Sequence, residues 1–198
     1  MRHVWITALC FIAVANWSGS RGLAVANTNI FDIHGVAYVG AKPQPNVVVW
    51  VDAPATSREI VSKPVLDQRN FTFYPHVLAV QVGTIVEFPN HDRVFHNVFS
   101  FHDGRIFDLG MYPMGTVKRI SFDRPGLSKL FCNIHPQMVA YIMAVDSPYF
   151  AVSDQTGAFT IRGISSGTYT YYAWRPGASV ITGSAAMDAD KSLDVRWQ

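Results

Sequence analysis

Short apolar runs separated by turn residues make up most of the chain. Many of these runs are rich in β-branched and aromatic residues, which favour extended backbone. No segment has a sustained apolar repeat of 3.6 residues, so helices should be short or absent. The pattern predicts an all-β protein, either a sandwich or a barrel. We expect strands at 46–51, at 77–88 as two strands meeting at Gly83, at 94–101, at 116–122 and at 139–145.

The pattern changes near residues 147–148, where glycines become frequent. We predict a last pair of strands beyond this point, arranged around Gly163 and Gly167, at 158–161 and 168–174. Glycine-marked turns between short apolar runs are typical of hairpins.

The chain therefore divides into a central section and two flanks. Segment 35–51 is similar in pattern to the part of the chain after residue 147. We expect the flanks 27–63 and 147–198 to pack together as a second, small β-sandwich, with a main domain at 64–146 between them.

The first residues read as an export signal. A short basic start at Arg2 and His3 precedes an apolar run at 4–14, and Ala24-Val25-Ala26 matches an A-x-A cleavage pattern. We predict a signal peptide at 1–26 and a periplasmic or secreted mature chain. The apolar run is too short to span a bilayer, and an uncleaved membrane anchor is the alternative.

Composition narrows the possible partners. The chain is 49% hydrophobic, and its net charge is only +2 with no long run of one sign. This argues against nucleic acid or an anionic membrane as a partner. Cleavage of the signal would leave Cys132 as the single cysteine, so it cannot pair within the chain. It is either buried and inert, or bridges two chains, or binds a metal.

Metal binding is favoured by the neighbours of Cys132. His135 and Met138 follow at three-residue intervals, and His96 lies upstream among apolar residues. Thiolate, thioether and imidazole groups suit copper, and two histidines with a cysteine and a weak axial methionine are the ligands of blue-copper sites. Zinc and no metal are the alternatives. His91 competes with His96 as the upstream ligand, although it lies in a loop-like segment and we expect it at the surface.

The same residues resemble the cupredoxins. Cys132-x-x-His135-Pro136-x-Met138 resembles the short ligand loop of amicyanin, and His96-Asn97-Val98 resembles the upstream ligand segment of plastocyanin. The chain also resembles plastocyanin-like proteins labelled methylamine utilization proteins, through Asp67-Gln68, Phe73-x-Pro75, Gly83-Thr84, Phe88-Pro89-Asn90-His91-Asp92 and Cys132-Asn133-Ile134-His135. The flanks resemble carboxypeptidase regulatory-like β-sandwich domains through 45–49 and Gly157-x-Phe159.

This resemblance implies a cupredoxin-like Greek-key β-sandwich and one mononuclear type 1 copper. The implied ligands are His96, Cys132, His135 and Met138. Around them, the resemblance to plastocyanin implies that Asn97 joins the two ligand segments, and Asn133, beside Cys132, is a further candidate for tuning the site.

The implied role is transfer of single electrons rather than catalysis, because four protein ligands leave no open position for a substrate. His135 would be the electron port, with Pro136 and Gln137 at the contact surface, and a dehydrogenase or a cytochrome would be the transient redox partner. Two other functions stay open: a copper carrier or storage protein without redox turnover, and a β-sandwich scaffold with a structural metal.

Overall fold

The computed structural model describes residues 29–54, 63–101 and 104–198. Within these ranges the chain forms strands joined by turns and bends and contains no helix. None of the described residues therefore belongs to a helix long and apolar enough to cross a membrane. The predicted signal peptide at 1–26 lies outside the described residues.

Eighteen strands can be numbered along the described chain. The first three belong to the N-terminal flank: β1 (Ile30–Val39), β2 (Lys42–Pro43) and β3 (Val48–Val51). The central section contains β4 (Asp67–Arg69), β5 (Thr72–Tyr74), β6 (Val77–Gln81), β7 (Thr84–Pro89), β8 (His96–Ser100), β9 (Phe107–Tyr112), β10 (Val117–Phe122), β11 (Gly126–Phe131) and β12 (Val139–Val145). The C-terminal flank adds β13 (Phe150–Val152), β14 (Ala158–Ser165), β15 (Gly167–Trp174), β16 (Ile181–Met187), β17 (Lys191–Ser192) and β18 (Val195–Trp197).

The two flanks form one sandwich. In its first sheet β1 lies between β14 and β17, and β2 and β18 also pair with β1. Its second sheet has the order β13-β3-β15-β16. One core joins the two sheets, and its buried side chains come from both ends of the chain, among them Ile33, Val49, Ile161, Ala173 and Val195. Burial of these side chains is the main source of stability for such a sandwich.

The predicted pairing of the last two strands is wrong. Instead, β14 pairs with β1, while β15 pairs with β3 and β16. A single residue, Ser166, links Ser165 to Gly167, and Gly167 has a φ of 153°. This glycine-marked link carries the chain from one sheet to the other instead of reversing it within one sheet.

The central section forms a second sandwich. Its large sheet has the order β6-β12-β11-β8-β9, in which β12 runs parallel to β6 and antiparallel to β11. The antiparallel pair β7–β10 and the β4–β5 hairpin share a core with this sheet. The core between them includes Phe73, Phe88, Val98, Phe122 and Leu130, with Cys132 and Met138 in the same cluster. Two of the candidate ligands therefore belong to the core of this sandwich.

The two sandwiches also contact one another. Val48 and Trp174 from the flanks share a buried cluster with Val77, Met143 and Val145 from the central section. The predicted fold class, all-β with a second small sandwich made by the flanks, is confirmed. The domain limits at 64–146 stay a prediction.

Candidate metal centre

His96 is the first residue of β8 and is fully buried. It lies opposite Tyr112 of β9 in the large sheet, so backbone pairing fixes its position. Apolar residues of the central core, such as Val98, follow on the same strand. A polar ring is stable in such a core only when its nitrogens have partners.

The other candidate ligands lie in the loop from β11 to β12. Cys132 directly follows β11 and is only 4% exposed, whereas His135 is half-buried. The backbone N–H of Met138 donates to the carbonyl oxygen of His135 at 2.9 Å, which closes a tight turn before β12 begins. The antiparallel pairing of β11 with β12 holds the two ends of this short loop together.

Three donor atoms from these two elements converge. Nδ1 of His96 lies 2.9 Å from Nδ1 of His135. Sγ of Cys132 lies 3.9 Å from Nδ1 of His96 and 3.7 Å from Nδ1 of His135. One potential ligand atom from each of these residues lies within 4.8 Å of the others.

The donor set fits a transition metal. Imidazole nitrogens bind such ions at about 2.0–2.1 Å and thiolates at about 2.3 Å, so ligands of one ion lie about 3–4 Å from each other. The separations between His96, Cys132 and His135 are in this range. Two nitrogens with a sulfur select soft or borderline ions over Mg²⁺ or Ca²⁺. The residues present therefore fit the kind of metal that the sequence predicts.

Met138, the fourth predicted ligand, is fully buried. It belongs to the same core cluster as Cys132, and its backbone is hydrogen-bonded to His135. The structure thus places Met138 in the same loop and core cluster as Cys132, next to His135. Its part as a ligand stays a prediction.

Asn97 links the two segments that carry the converging donors. Its side-chain oxygen accepts a hydrogen bond from the backbone N–H of Asn133 at 2.8 Å. Its side-chain nitrogen faces Asp108 at 3.4 Å. The connection that the resemblance implied for Asn97 is therefore present, whereas Asn133 takes part through its backbone, and its side chain is exposed.

Asp92 determines which nitrogen of His96 carries the proton. Its Oδ2 lies 2.8 Å from Nε2 of His96. Burial would raise the pKa of this carboxyl, but hydrogen bonds from the backbone of Phe71, from His96 and from the backbone of Asn70 outweigh burial and hold the pKa below its usual range. An ionised carboxylate only accepts, so Nε2 of His96 must donate. In the neutral ring, Nδ1, which faces Cys132 and His135, is then the nitrogen whose lone pair can bind a metal.

A tight turn brings an aromatic ring to the same place. The hairpin of β4 and β5 turns at Asn70 and Phe71, whose φ angles are 53° and 57°. The ring centroid of Phe71 lies 5.0 Å from that of His135 and 5.8 Å from that of His96, both in edge-on arrangements. Phe71 is therefore a neighbour of both imidazoles.

His91, the competing candidate, is placed elsewhere. Its side chain is 63% exposed, and its Nδ1 lies 2.7 Å from Oδ1 of Asp67. It is at the surface, as expected, and it is not among the converging donors. Of the other histidines, His102 lies outside the described residues.

Sequence reasoning missed the roles of Phe71 and Asp92 at the site. Asp92 precedes His96 by four residues in a polar segment, and Asn70 is a residue that favours left-handed turns. Neither feature of the sequence predicts that the ring of Phe71 lies next to the two imidazoles. Only the pairing of β4 with β5 brings Phe71 close to residues 25 and more positions further along the chain.

Comparison with known proteins gives partial matches. A family model described as "Polysaccharide lyase family 4, domain II" matches residues 144–194. No curated protein matches the chain.

Several solved structures are similar to part of this chain. A purple cupredoxin from Nitrosopumilus maritimus has 25% identity over 41% of this chain and 96% of its own, with a TM-score of 0.37. A copper-containing nitrite reductase from Thermus scotoductus SA-01 has 24% identity over 57% of this chain and 28% of its own, with a TM-score of 0.42. A reduced amicyanin mutant has 18% identity over 49% of this chain and 98% of its own, with a TM-score of 0.40.

Proposed function

We propose that this chain is a type 1 copper protein of cupredoxin type that carries single electrons between redox partners. His96, Cys132 and His135 would hold one copper ion, and Met138 would be the weak axial ligand. The observation that carries the proposal is the convergence of two imidazole nitrogens and one sulfur on a single point at the end of the central sandwich.

The character of the donors supports copper over zinc. Structural zinc sites add further cysteines or histidines to complete a tetrahedron. Here the remaining side chain supplied by the loop is the thioether of Met138, a soft and weak donor. Copper bound by such a set gains and loses one electron, and with four protein ligands it offers no open position to a substrate.

The surroundings support electron transfer because they hold the ligands in place. His96 is fixed by the backbone of β8 and by the carboxylate of Asp92. The ligand loop is joined to the same strand by the hydrogen bond from Asn133 to Asn97. Positions that are set by the protein change little between oxidation states, and such preorganisation favours rapid exchange of electrons.

Apolar side chains near the ligands support contact with a protein partner. Phe95 and Ile134, which are the sequence neighbours of His96 and His135, are 54% and 53% exposed. Met111, opposite Asn97 on β9, is exposed as well. We propose that electrons pass through His135 to a dehydrogenase or a cytochrome that binds briefly here, since redox encounters use small interfaces. The export signal that the sequence predicts at 1–26 supports a periplasmic or secreted location.

The test is a visible absorption spectrum of the copper-loaded protein. The wild-type chain should give a strong blue band from thiolate-to-copper charge transfer, and Cys132→Ser should abolish it. His91→Ala is the matched control, because that histidine is exposed and lies outside the cluster, and it should leave the band unchanged. A colourless copper complex of the wild-type protein would overturn the proposal. A blue protein that releases Cu(I) readily and exchanges electrons with no donor would point instead to a copper carrier.

A further inference from the structure

We propose that Phe71 is a cover over the candidate metal centre and that Asp92 is the positioning residue that holds this cover in place. This proposal rests on the proposed function, because the cover would protect the imidazoles that would bind copper. The cover is nevertheless a property of the protein alone, and it can be measured without metal.

The backbone of the β4–β5 turn gives the first reason. Asn70 and Phe71 both have positive φ values and form a two-residue hairpin loop between paired strands. Turns of this kind favour asparagine followed by glycine, because a Cβ atom is crowded at positive φ. A phenylalanine at the second position is unfavourable for the turn itself. Backbone strain of this kind points to a function for the side chain that causes it.

Burial does not account for the phenylalanine. Its side chain remains 43% exposed, so it gains less from the hydrophobic effect than a core residue such as Phe73 on β5. What the ring does contact is the metal centre: its centroid lies 5.0 Å from the ring of His135, at an interplanar angle of 80°. The ring of His96 lies 5.8 Å away at 87°. The ring therefore shields one side of both imidazoles from water and from small reagents.

The carboxylate of Asp92 ties this turn to the site. Oδ1 accepts a hydrogen bond from the N–H of Asn70 at 2.6 Å, and Oδ2 accepts one from the N–H of Phe71 at 2.9 Å. The same Oδ2 lies 2.8 Å from Nε2 of His96. One carboxylate thus satisfies both N–H groups of the turn and orients the imidazole that the ring covers. The carboxylate of Asp92 therefore holds both the turn that carries Phe71 and the imidazole of His96.

The base of the hairpin is fixed as well. Gln68 on β4 is fully buried, and its side-chain nitrogen donates to the carbonyl oxygen of Pro89 at 3.0 Å. The backbone carbonyl oxygen of Gln68 accepts from the backbone N–H of His91 at 2.9 Å. The hairpin therefore approaches the site on a rigid support, and the removal of the Phe71 ring should open the site without displacing the strands.

The first experiment measures access to His135 in the metal-free full-length protein. Diethyl pyrocarbonate modifies imidazoles, and mass spectrometry gives the rate at His135 separately from the other histidines. Phe71→Ala and Phe71→Gly should each raise this rate about two- to tenfold. This range, about two- to tenfold, is the change in the open fraction of the site that the loss of one aromatic contact would produce. Phe71→Tyr, which keeps the ring, should react at the wild-type rate.

The glycine variant separates a cover from a purely structural residue. Phe71→Gly relieves the strained φ, so it should unfold at higher urea concentration than Phe71→Ala while being equally open at His135. If the rate at His135 stays at the wild-type value in both variants, the cover is disproved, whatever their stability.

A second experiment uses the copper-loaded protein. Transfer of Cu(I) to a chelator should be about two- to tenfold faster in Phe71→Gly than in the wild type, and the blue band should remain. A wild-type chain that binds no copper would refute the proposed function, whereas the modification rates of the metal-free protein would still decide the cover. Equal transfer rates would count against the cover.

The role of Asp92 is tested by a double-mutant cycle on the His135 modification rate. Asp92→Ala should raise the rate, and adding Phe71→Gly should increase it by less than the product of the two single effects, because both act on one turn. Asp67→Ala is the matched control, since this aspartate belongs to the same hairpin and pairs with His91, and it should leave the rate unchanged. Independent effects of Asp92 and Phe71 would disprove the link between them.

Discussion

The side-chain oxygen of Asn97 accepts a hydrogen bond from the backbone N–H of Asn133 at 2.8 Å. Asn97 follows His96 on β8, and Asn133 follows Cys132 in the loop after β11. This bond therefore joins the segments of two candidate ligands that lie far apart in sequence, in addition to the pairing of β11 with β8. Since Asn97 is almost fully buried, water cannot easily replace it as the acceptor.

Replacement of this acceptor should loosen the site. Asn97→Ala leaves the N–H of Asn133 without its partner, so we expect the free energy of unfolding of the metal-free protein to fall by about 1–3 kcal/mol. Metal affinity should fall with it. Asn133→Ala is the control, because the Asn133 side chain is exposed and only its backbone takes part. Urea denaturation and metal titration measure both effects, and equal losses in the two variants would contradict this account.

Met138→Leu should separate packing from ligation. The substitution keeps nearly the same volume in the core, so the metal-free protein should lose less than about 1.5 kcal/mol of stability. If the thioether binds copper, the loaded variant should still show a changed spectrum and a changed reduction potential. Met143→Leu, at the other end of β12, is the matched control and should leave the spectrum unaltered. A spectrum of Met138→Leu identical to the wild type would remove Met138 from the ligand set.

Tyr112 should make stability depend on alkaline pH. Its hydroxyl donates to the carbonyl oxygen of Phe88 at 3.2 Å and accepts from the side chain of Gln68. Burial raises the pKa of this hydroxyl above its ordinary value. A group whose pKa is raised in the folded state stabilises the fold below the unfolded pKa, which is about 10 for tyrosine, and this contribution is lost as pH rises beyond it.

Tyr112→Phe tests that contribution directly. At pH 7 the variant should be less stable by about 1–3 kcal/mol, because buried partners lose their hydrogen bonds. The difference from the wild type should shrink as pH rises above about 10, and urea unfolding at a series of pH values measures it. A difference that does not change with pH would refute the role assigned to this hydroxyl.

Removal of the metal should leave the fold intact. The central core is built from side chains such as Phe73, Phe88 and Leu130, which do not need a metal to pack. The metal-free protein should keep its near-ultraviolet circular dichroism and a cooperative thermal transition, and metal should only raise Tm through binding to the folded state. Unfolding of the central sandwich upon removal of the metal would favour a structural metal site instead.

The sequence predicted the strands that carry a strong apolar signal. The runs at 77–88 and 139–145 became β6, β7 and β12, where long apolar stretches are largely buried in the core. By contrast, β16 was not predicted, since its TGSAA segment of small residues carries no apolar pattern. The pairing of β14 with β1 was also missed, because the partners lie far apart in the chain.

The candidate site was predictable where its chemistry is local. The spacing of Cys132, His135 and Met138 is visible within one loop, and the residues around His96 distinguish it from the exposed His91. The parts contributed by Phe71 and Asp92 depend on how the turn of the β4–β5 hairpin meets Asp92 and His96. No local pattern carries that information, because it is a result of tertiary packing.

The strands of the flanking sandwich come from both ends of the chain, so the N-terminal and C-terminal strands are synthesised at different times. Phe31 pairs with Ile164, and Val49 pairs with Ala173, so the N-terminal strands leave the ribosome long before their partners exist. The nine strands from β4 to β12 are contiguous and can complete their own core first, since domains generally fold as units during translation. Contacts between distant segments form slowly. We therefore expect the return of the C-terminal strands to β1 and β3 to be the last step of folding, after the ligand loop has taken its final shape.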